Sequence, residues 1–177
     1  LSTSLDLPIE ESWSEFVLPQ SIPQETVLGR GPFRFEDSWQ THGIEPTRIN
    51  QPIEVLEDES VIENFLATHA PKSSTRPGNP EIHFWGCVRN EESEIAAIAA
   101  ITEWESGESM LSSVATHSEM RGRGYGKKVV EGILSLACDR NYDRINLVVL
   151  SNNLPAIKVY ESVGFTLMGK FNTFTRI

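Results

Sequence analysis

From residue 48 onward, the apolar positions switch between the two-residue period of strands and the 3.6-residue period of helices. Alternation over residues 49–56 predicts a strand. Asp58 then predicts the N-cap of a helix that Pro71 ends. The apolar face of this helix carries Val61, Ile62, Phe65 and Leu66. Three further apolar runs, at 83–89, 94–104 and 110–116, are separated by short polar turns and predict an antiparallel meander.

The second half of this region begins with a glycine-rich turn at 121–126, which predicts the start of another helix. The apolar side of that helix consists of Val129, Val130, Ile133, Leu134 and Ala137. Residues 145–150 predict a short strand, and Asn153 predicts the cap of a helix that ends at Gly164. Residues 165–177 predict a closing hairpin. The element order is therefore β-α-β-β-β-α-β-α-β-β, which is an α+β sheet protein.

Residues 1–47 lack this regular pattern. They are rich in Pro, Ser and acidic residues, and residues 11–18 are their single helical candidate. We therefore divide the chain into an irregular N-terminal extension or upstream-domain remnant, 1–47, and a folded domain, 48–177. We expect the extension to be loosely attached, although its aromatic residues leave open that it packs along the sheet. The chain begins with Leu rather than Met, and whether the native chain extends further upstream stays open.

Composition is that of an ordinary globular domain of 177 residues, 39% of them hydrophobic. The net charge is −10, yet the last third of the chain, from residue 121, is basic. An acidic body argues against nucleic-acid binding, whereas a local basic region suits a small polyanionic ligand. Chance segregation of solvated charges is the alternative.

The cysteine pattern and the hydropathy exclude further classes. Cys87 and Cys138 lie in apolar stretches without a second Cys or His at ligand spacing. This favours buried reduced thiols over a disulfide framework or a zinc site, so we expect a cytoplasmic protein without a metal. No apolar run approaches the roughly 20 residues of a membrane-spanning helix, and we expect no membrane partner.

The strongest chemical signal is the sequence R-G-R-G-Y-G at 121–126, between a predicted strand and a predicted helix. Alternate glycines let successive backbone N–H groups face an anion, and the helix dipole adds to them. A pyrophosphate would fit there, although such a turn is also a common tight connection. The spacing excludes the phosphate-binding loop of nucleoside triphosphatases, and Lys127 occupies the place of the third glycine in the dinucleotide fingerprint.

A second signal lies in the helix that follows Asn153. Tyr160 comes seven residues, or about two turns, after Asn153 and therefore lies on nearly the same side. The small side chain of Ala156, between them in the sequence, permits close approach. A phenol there could donate a proton to a leaving thiolate, while a core tyrosine with a bonded hydroxyl is the alternative.

Together the two signals resemble a known family. The stretch V-A-T-H-S-E-M-R-G-R-G-Y-G at 114–126 resembles the acetyl-coenzyme A motif, R/Q-x-x-G-x-G/A, of the GCN5-related N-acetyltransferase (GNAT) superfamily. The pattern N-x-x-A-x-x-x-Y-x-x-x-G-F at 153–165 is similar to its second motif. The likeness covers residues 48–177 and implies a mixed, mainly antiparallel central sheet flanked by helices. One departure is T-H-S at 116–118, where the family often has V-x-P.

The resemblance implies a role for each matching position. The backbone of Val114, Ala115 and Thr116 would pair with the pantetheine arm and polarise the thioester carbonyl. The pyrophosphate would lie against the loop residues Arg121, Gly122, Arg123, Gly124, Tyr125, Gly126 and Lys127. Asn153 and Ala156 would lie near the thiol end of acetyl-coenzyme A, and Tyr160 would protonate the departing sulfur. The role of His117 stays open, with local hydrogen bonding favoured over catalysis.

Attack on a thioester needs a neutral amine, and so a base or a water relay near the acetyl group. Glu103, Glu105 and Glu108 cluster where two predicted strands meet, although such clusters are mostly solvated turns. We name Glu103, because the turn at 106–108 should place it beside Met110 or Leu111. The acidic segment 51–120 also favours a cationic amine acceptor, either a small molecule or a peptide.

We interpret the chain as an N-acetyltransferase that transfers acetyl from acetyl-coenzyme A to a primary amine within a ternary complex. A covalent route through Cys87 is disfavoured, since this thiol lies in mid-strand without a visible base. The alternative function is a non-catalytic coenzyme A sensor or an accessory module of a larger protein. The oligomeric state stays open, a homodimer included.

Overall fold

The computed structural model describes residues 33–104 and 107–176. Within these ranges the strands are β1 (Phe33–His42), β2 (Glu54–Val55), β3 (Ile82–Arg89), β4 (Ile95–Glu103), β5 (Ser109–Thr116), β6 (Val148–Leu150) and β7 (Thr166–Arg176). The helices are α1 (Glu59–His69), α2 (Tyr125–Asp139) and α3 (Leu154–Ser162), and a 3₁₀ turn spans Ser118–Met120. The helical candidate at 11–18 lies outside the described residues.

A four-stranded antiparallel sheet, in the order β2-β3-β4-β5, confirms the predicted meander. Its central strand, β4, is buried on both faces. Ala97, Ala99 and Ile101 belong to the core cluster that includes α2, whereas Ile98 and Ala100 belong to the cluster that includes α1. Because successive side chains of a strand point to opposite faces, the sheet lies between the two helices.

The helix boundaries follow from the predicted caps. The Asp58 carboxylate accepts from the backbone N–H groups of Ser60 and Val61, which satisfies two free donors at the start of α1. Asn153 caps α3 in the same way, and Gly164 follows its end with a φ of 104°. Caps are local signals, so sequence alone could place them.

The remaining strands form a second sheet in the order β6-β1-β7, and here two expectations were wrong. Residues 33–42, expected to be irregular, form β1. Residues 165–177, expected to form a hairpin, contain the single strand β7, which pairs antiparallel with β1. The partners are about 130 positions apart, and a local pattern carries no information on so distant a pairing. The division of the chain at residue 47 stays a prediction.

The strand expected at 49–56 is shorter than predicted. The structure retains only Glu54 and Val55, which pair with Cys87 and Gly86. Pro52, just before them, lacks the backbone N–H that a longer ladder needs. β2 is therefore a short edge strand.

The two sheets meet where β5 begins. An isolated parallel bridge joins Met110 to Asn146, and the Leu111 N–H donates to the Asn146 carbonyl over 2.8 Å. Beyond Leu111, β5 and β6 share no backbone hydrogen bond in the described part of the chain. A cleft therefore opens between the two strands toward the end of β5.

Candidate active site

The cleft edge of β5 carries the first predicted site segment. Val114 and Thr116 are half-buried and Ala115 is buried. β5 pairs with β4 on one side only, since it is the last strand of its sheet. Its other edge therefore offers backbone donors and acceptors to an extended ligand, as an added strand would use them.

A bulge lies directly before this segment. The β4–β5 register shifts between Ile98 and Ala100, and Ser113 adopts a positive φ of 48°. The Ser113 hydroxyl donates to the Thr75 carbonyl over 2.9 Å and lies 2.6 Å from the Ser73 hydroxyl. Bulges re-aim the strand that follows them, and these bonds hold Ser113 in its uncommon conformation. Sequence reasoning missed this feature because Ser is not a typical residue for a positive φ.

Residues 121–127, called here the anion loop, connect β5 to α2 and include the first turn of that helix. Gly122 and Gly124 have φ values of 76° and 84°, and a Cβ at either position would meet no atom within 4 Å. Gly124 is the N-cap of α2 and supplies no capping side chain. The first N–H groups of α2 thus lack the usual side-chain acceptor, and they lie at the positive end of the helix.

The anion loop also lies close to the end of β5. A Cβ at Gly126 would be 3.2 Å from the Thr116 hydroxyl oxygen, so a larger residue would push the loop away from the strand. The structure therefore brings together the first two predicted parts of the site, the β5 edge and the loop.

Basic side chains surround the loop. Arg123 and Lys127 are exposed, and Lys127 Nζ lies 3.7 Å from Glu131 Oε1. Lys128 Nζ lies 5.0 Å from the centre of the Tyr125 ring. Arg121 differs, because its guanidinium donates to the His69 carbonyl at the end of α1. The side chain of Arg121 is thus directed away from the loop amides.

The other wall of the cleft carries Asn153 and Tyr160 on α3, which packs against α2. The Asn153 side-chain oxygen accepts from the Ala156 N–H over 3.4 Å, so its amide nitrogen is left to serve a ligand. Asn153 is exposed and Ala156 is half-buried.

Tyr160 packs against the core, with its ring 6.1 Å from that of Phe165 in an edge-to-face arrangement. Desolvation by the surrounding protein raises the pKa of Tyr160 to about 12. Tyr160 is half-buried, and among the described residues no side-chain or backbone hydrogen bond reaches its hydroxyl. The phenol stays protonated at neutral pH.

Ser151 is a further polar residue that sequence reasoning missed. It follows β6 and precedes α3, and its hydroxyl is buried without a partner among the described residues. The sequence around it contains no pattern that singles out a buried hydroxyl.

Glu103 lies one position from its expected neighbours. It pairs with Ser109, whereas Met110 and Leu111 pair with Thr102 and Ile101. Its carboxylate is exposed and lies 3.6 Å from His83 Nε2. Ser109 to Val114 is five residues, or roughly 16 Å of strand, so Glu103 lies at the closed end of the cleft rather than beside the β5 edge. Glu105 lies outside the described residues.

Comparison with known proteins decides the family. The sequence model of the acetyltransferase (GNAT) family matches residues 50–165, which is more than half of the chain. The chain belongs to the GNAT family. The matched range includes both segments that carry the resemblance, 114–126 and 153–165.

Relatives and solved structures agree with this assignment. A Bacillus subtilis (strain 168) protein named uncharacterized N-acetyltransferase YsnE is 33% identical over 88 residues, 49% of this chain and 57% of the relative. A putative GNAT acetyltransferase from Novosphingobium aromaticivorans has a similar fold, with a TM-score of 0.67, 21% identity, and coverage of 80% of this chain and 64% of that one. The chain thus spans less than two thirds of each of these two proteins.

A second similar structure has an acceptor in its name. The ribosomal-protein-S18-alanine N-acetyltransferase from Escherichia coli matches with a TM-score of 0.53 and 17% identity, over 71% of this chain and 93% of that one. At this identity the likeness concerns the fold alone. It supports the predicted α+β GNAT architecture.

Two observations concern the rest of the structure. A cavity of about 470 Å³ lies at the opposite edge of the four-stranded sheet, where Leu56, Ile62, Phe84 and Arg140 line it. It contains none of the predicted site residues. Among the described residues, no helix has the length and apolar character that crossing a membrane requires.

Proposed function

We propose that this GNAT protein transfers an acetyl group from acetyl-coenzyme A to a primary amine, directly and with both substrates bound. The observation that carries the proposal is the cleft. An unpaired strand edge leads into a glycine loop whose helix start has no side-chain cap, which suits an extended arm that ends in a pyrophosphate. A helix start of this kind binds anions through backbone N–H groups.

The binding roles follow the walls of the cleft. The backbone of Val114, Ala115 and Thr116 would hold the pantetheine arm and polarise the thioester carbonyl. The anion loop amides would hold the pyrophosphate, with Arg123 and Lys127 as exposed cations nearby. The free amide nitrogen of Asn153 would bond the arm near its thiol end, where the small Ala156 leaves room.

The chemical step needs one proton donor and one acceptor. The amine nitrogen forms a bond to the acetyl carbon, the carbon–sulfur bond breaks, and the sulfur takes a proton. Tyr160 is the proposed donor, since its hydroxyl is protonated at neutral pH and has no partner among the described residues. Glu103 is the proposed acceptor for the amine proton. Because its partner Ser109 is five residues, or roughly 16 Å of strand, from Val114, the proton would reach Glu103 through a chain of several waters.

The acidic character of the protein favours a cationic acceptor, either a small amine or a peptide N-terminus. The net charge of −10 would concentrate cations near the cleft. An amine library scored by the release of free thiol from acetyl-coenzyme A tests the reaction. If no amine in the library causes thiol release although coenzyme A still binds, the result supports the alternative function as a sensor.

Binding is tested by substituting Gly124, which has a positive φ. Asn and Asp tolerate such a φ better than other residues do. Coenzyme A at about a hundredfold excess over Kd should raise the melting temperature of the parent by roughly 5–10 °C. Gly124→Asp places a negative charge in the open space above the loop and should abolish the shift. Gly124→Asn has nearly the same shape and should lose less.

Gly78→Asp is the matched control. Gly78 has a φ of 86° and open space around its Cβ position, as Gly124 does, but it lies in the loop between α1 and β3. Its substitution should leave the coenzyme A shift unchanged. Equal shifts in parent and Gly124→Asp would contradict the proposed binding site.

A further inference from the structure

The last turn of α1 contacts the start of the anion loop and the segment before it through side-chain groups that the proposed function does not use. The Ser118 N–H donates to His69 Nδ1 over 3.2 Å, and the Ser118 hydroxyl lies 3.1 Å from the same nitrogen. The Arg121 guanidinium donates to the His69 carbonyl over 2.6 Å. One residue of α1 thus bonds both sides of the turn that leads into the loop.

A second imidazole supports this contact. The His117 ring lies 3.9 Å from the His69 ring, and the Phe65 ring lies 4.7 Å from His69 on the same helix. His117 Nδ1 accepts from the Glu119 N–H over 3.3 Å, and the His117 N–H donates to the Ala96 carbonyl over 2.9 Å. The favoured role of His117 as a local hydrogen-bonding residue agrees with these bonds.

These bonds fix the protonation state that the contact needs. A backbone N–H can only donate, so His69 Nδ1 must be unprotonated and the ring proton of the neutral form must lie on Nε2. Arg121 meets the carbonyl end of α1, where the helix dipole favours a cation. Its side chain therefore stabilises the α1–loop contact rather than facing the loop amides.

We propose that His69 is a positioning residue for the anion loop: Nδ1 holds Ser118 and the carbonyl holds Arg121, so that the loop amides keep the geometry that binds the pyrophosphate. The proposal rests on coenzyme A binding at the loop. His69 itself touches no substrate, and its effect is on affinity for coenzyme A rather than on the chemical step. The contact joins residues 49 and 52 positions apart in the chain.

The charges around His69 favour its neutral form. Burial, His117 and Arg121 lower the pKa of His69, while Glu119 opposes them. As the pH falls below the ordinary value of 6.5, a proton on Nδ1 would remove the acceptor for Ser118. Affinity for coenzyme A should therefore weaken on the acidic side of that value in the parent.

Two substitutions at His69 separate the acceptor from the ring. His69→Asn retains an oxygen near the Nδ1 position, and His69→Leu retains bulk without an acceptor. We expect His69→Leu to raise the Kd of coenzyme A and the KM of acetyl-coenzyme A about 5- to 30-fold with kcat nearly unchanged. His69→Asn should stay within about threefold of the parent and lose the acidic weakening.

Matched controls lie on α1 and just after it. Thr68→Ala removes an exposed hydroxyl that bonds only within α1. Arg121→Met should weaken coenzyme A binding, whereas Arg76→Met should not, because Arg76 also donates to a carbonyl just after α1, that of Pro71, but does not reach the anion loop. Melting temperatures without ligand show whether each variant is folded.

The outcomes are distinct. If the parent itself shows no coenzyme A binding, the proposed function fails. If the parent binds and His69→Leu binds equally well, or if His69→Asn and His69→Leu weaken binding to the same extent, the positioning role is wrong. A ¹⁵N spectrum of the free protein that places the His69 ring proton on Nδ1 would overturn it independently of any ligand.

Discussion

The two walls of the cleft offer different kinds of groups. On the β5–α2 wall the proposed site consists of backbone, and glycines at 122 and 124 provide the left-handed conformations that expose it. On the β6–α3 wall the proposed site consists of side chains, those of Asn153 and Tyr160. A backbone site depends on loop geometry, so it binds a ligand through many small contributions. A side-chain site places the chemistry on one or two atoms.

The two walls also differ in how the chain builds them. β3, β4 and β5 pair with sequence neighbours through short turns, and β5 leads straight into the anion loop. β6 instead pairs with β1, whose other neighbour is β7, so both ends of the described chain meet there. Substitutions on the two walls should therefore differ in whether they change binding, turnover or stability.

The largest expected effect is that of Tyr160→Phe. If the phenol protonates the departing sulfur, turnover should fall by about 10²–10⁴-fold. The affinity for coenzyme A should stay nearly unchanged, because the ring remains packed against Phe165. Steady-state kinetics measure the turnover, and a coenzyme A titration measures the affinity. The expected result is the reverse of that for Gly124→Asp, which should abolish coenzyme A binding.

Ser162→Ala is the control for Tyr160. It removes another hydroxyl from α3, one that donates to the Val159 carbonyl at the exposed end of the helix. Its turnover should equal that of the parent. A Tyr160→Phe variant that keeps most of its turnover would assign Tyr160 to packing alone.

A smaller effect is expected when the stability of the four-stranded sheet is compared with that of the β6–α3 wall. Ile101 is fully buried in β4, whereas Ile157 on α3 is 8% exposed. Ile101→Ala should lower the free energy of unfolding by about 2–5 kcal/mol, and Ile157→Ala should cost less because its surroundings can relax into the space. Urea unfolding of both variants measures the difference. Equal losses would show that the β6–α3 wall is packed as tightly as the sheet.

The parts that sequence could predict are those with local signals. Asp58 and Asn153 cap helices through groups two or three residues away, and the glycines at 122 and 124 mark the anion loop by spacing alone. The fold class, the meander and the GNAT motifs all follow from such patterns. They need no knowledge of distant residues.

The parts that it could not predict depend on contacts between distant positions. The β1–β7 pairing joins the two ends of the described chain, and the bond from Ser118 to His69 spans 49 positions. The Ser113 bulge depends on how β5 aligns with β4, and on Thr75 in a separate loop. The predicted pairing of Glu103 was wrong by one residue for the same reason, since the turn residues alone did not determine how β4 aligns with β5.

The smallest expected effect concerns two buried threonines, one in each sheet. Thr41 in β1 donates its hydroxyl to the Leu147 carbonyl over 3.2 Å and accepts from the Leu147 N–H over 3.3 Å. Thr41→Val has the same shape but leaves that N–H without its acceptor, which should cost about 1–3 kcal/mol. Among the described residues, the hydroxyl of Thr102 in β4 bonds only the Ser112 hydroxyl, at 2.9 Å, and that half-buried group can turn to water. Thr102→Val should therefore cost less, and Thr41→Ser, which keeps the hydroxyl, should restore most of the loss. Urea unfolding of the three variants measures these losses. If Thr102→Val lowers the free energy of unfolding more than Thr41→Val does, the stability of the β6-β1-β7 sheet does not depend on the bond between the Thr41 hydroxyl and Leu147.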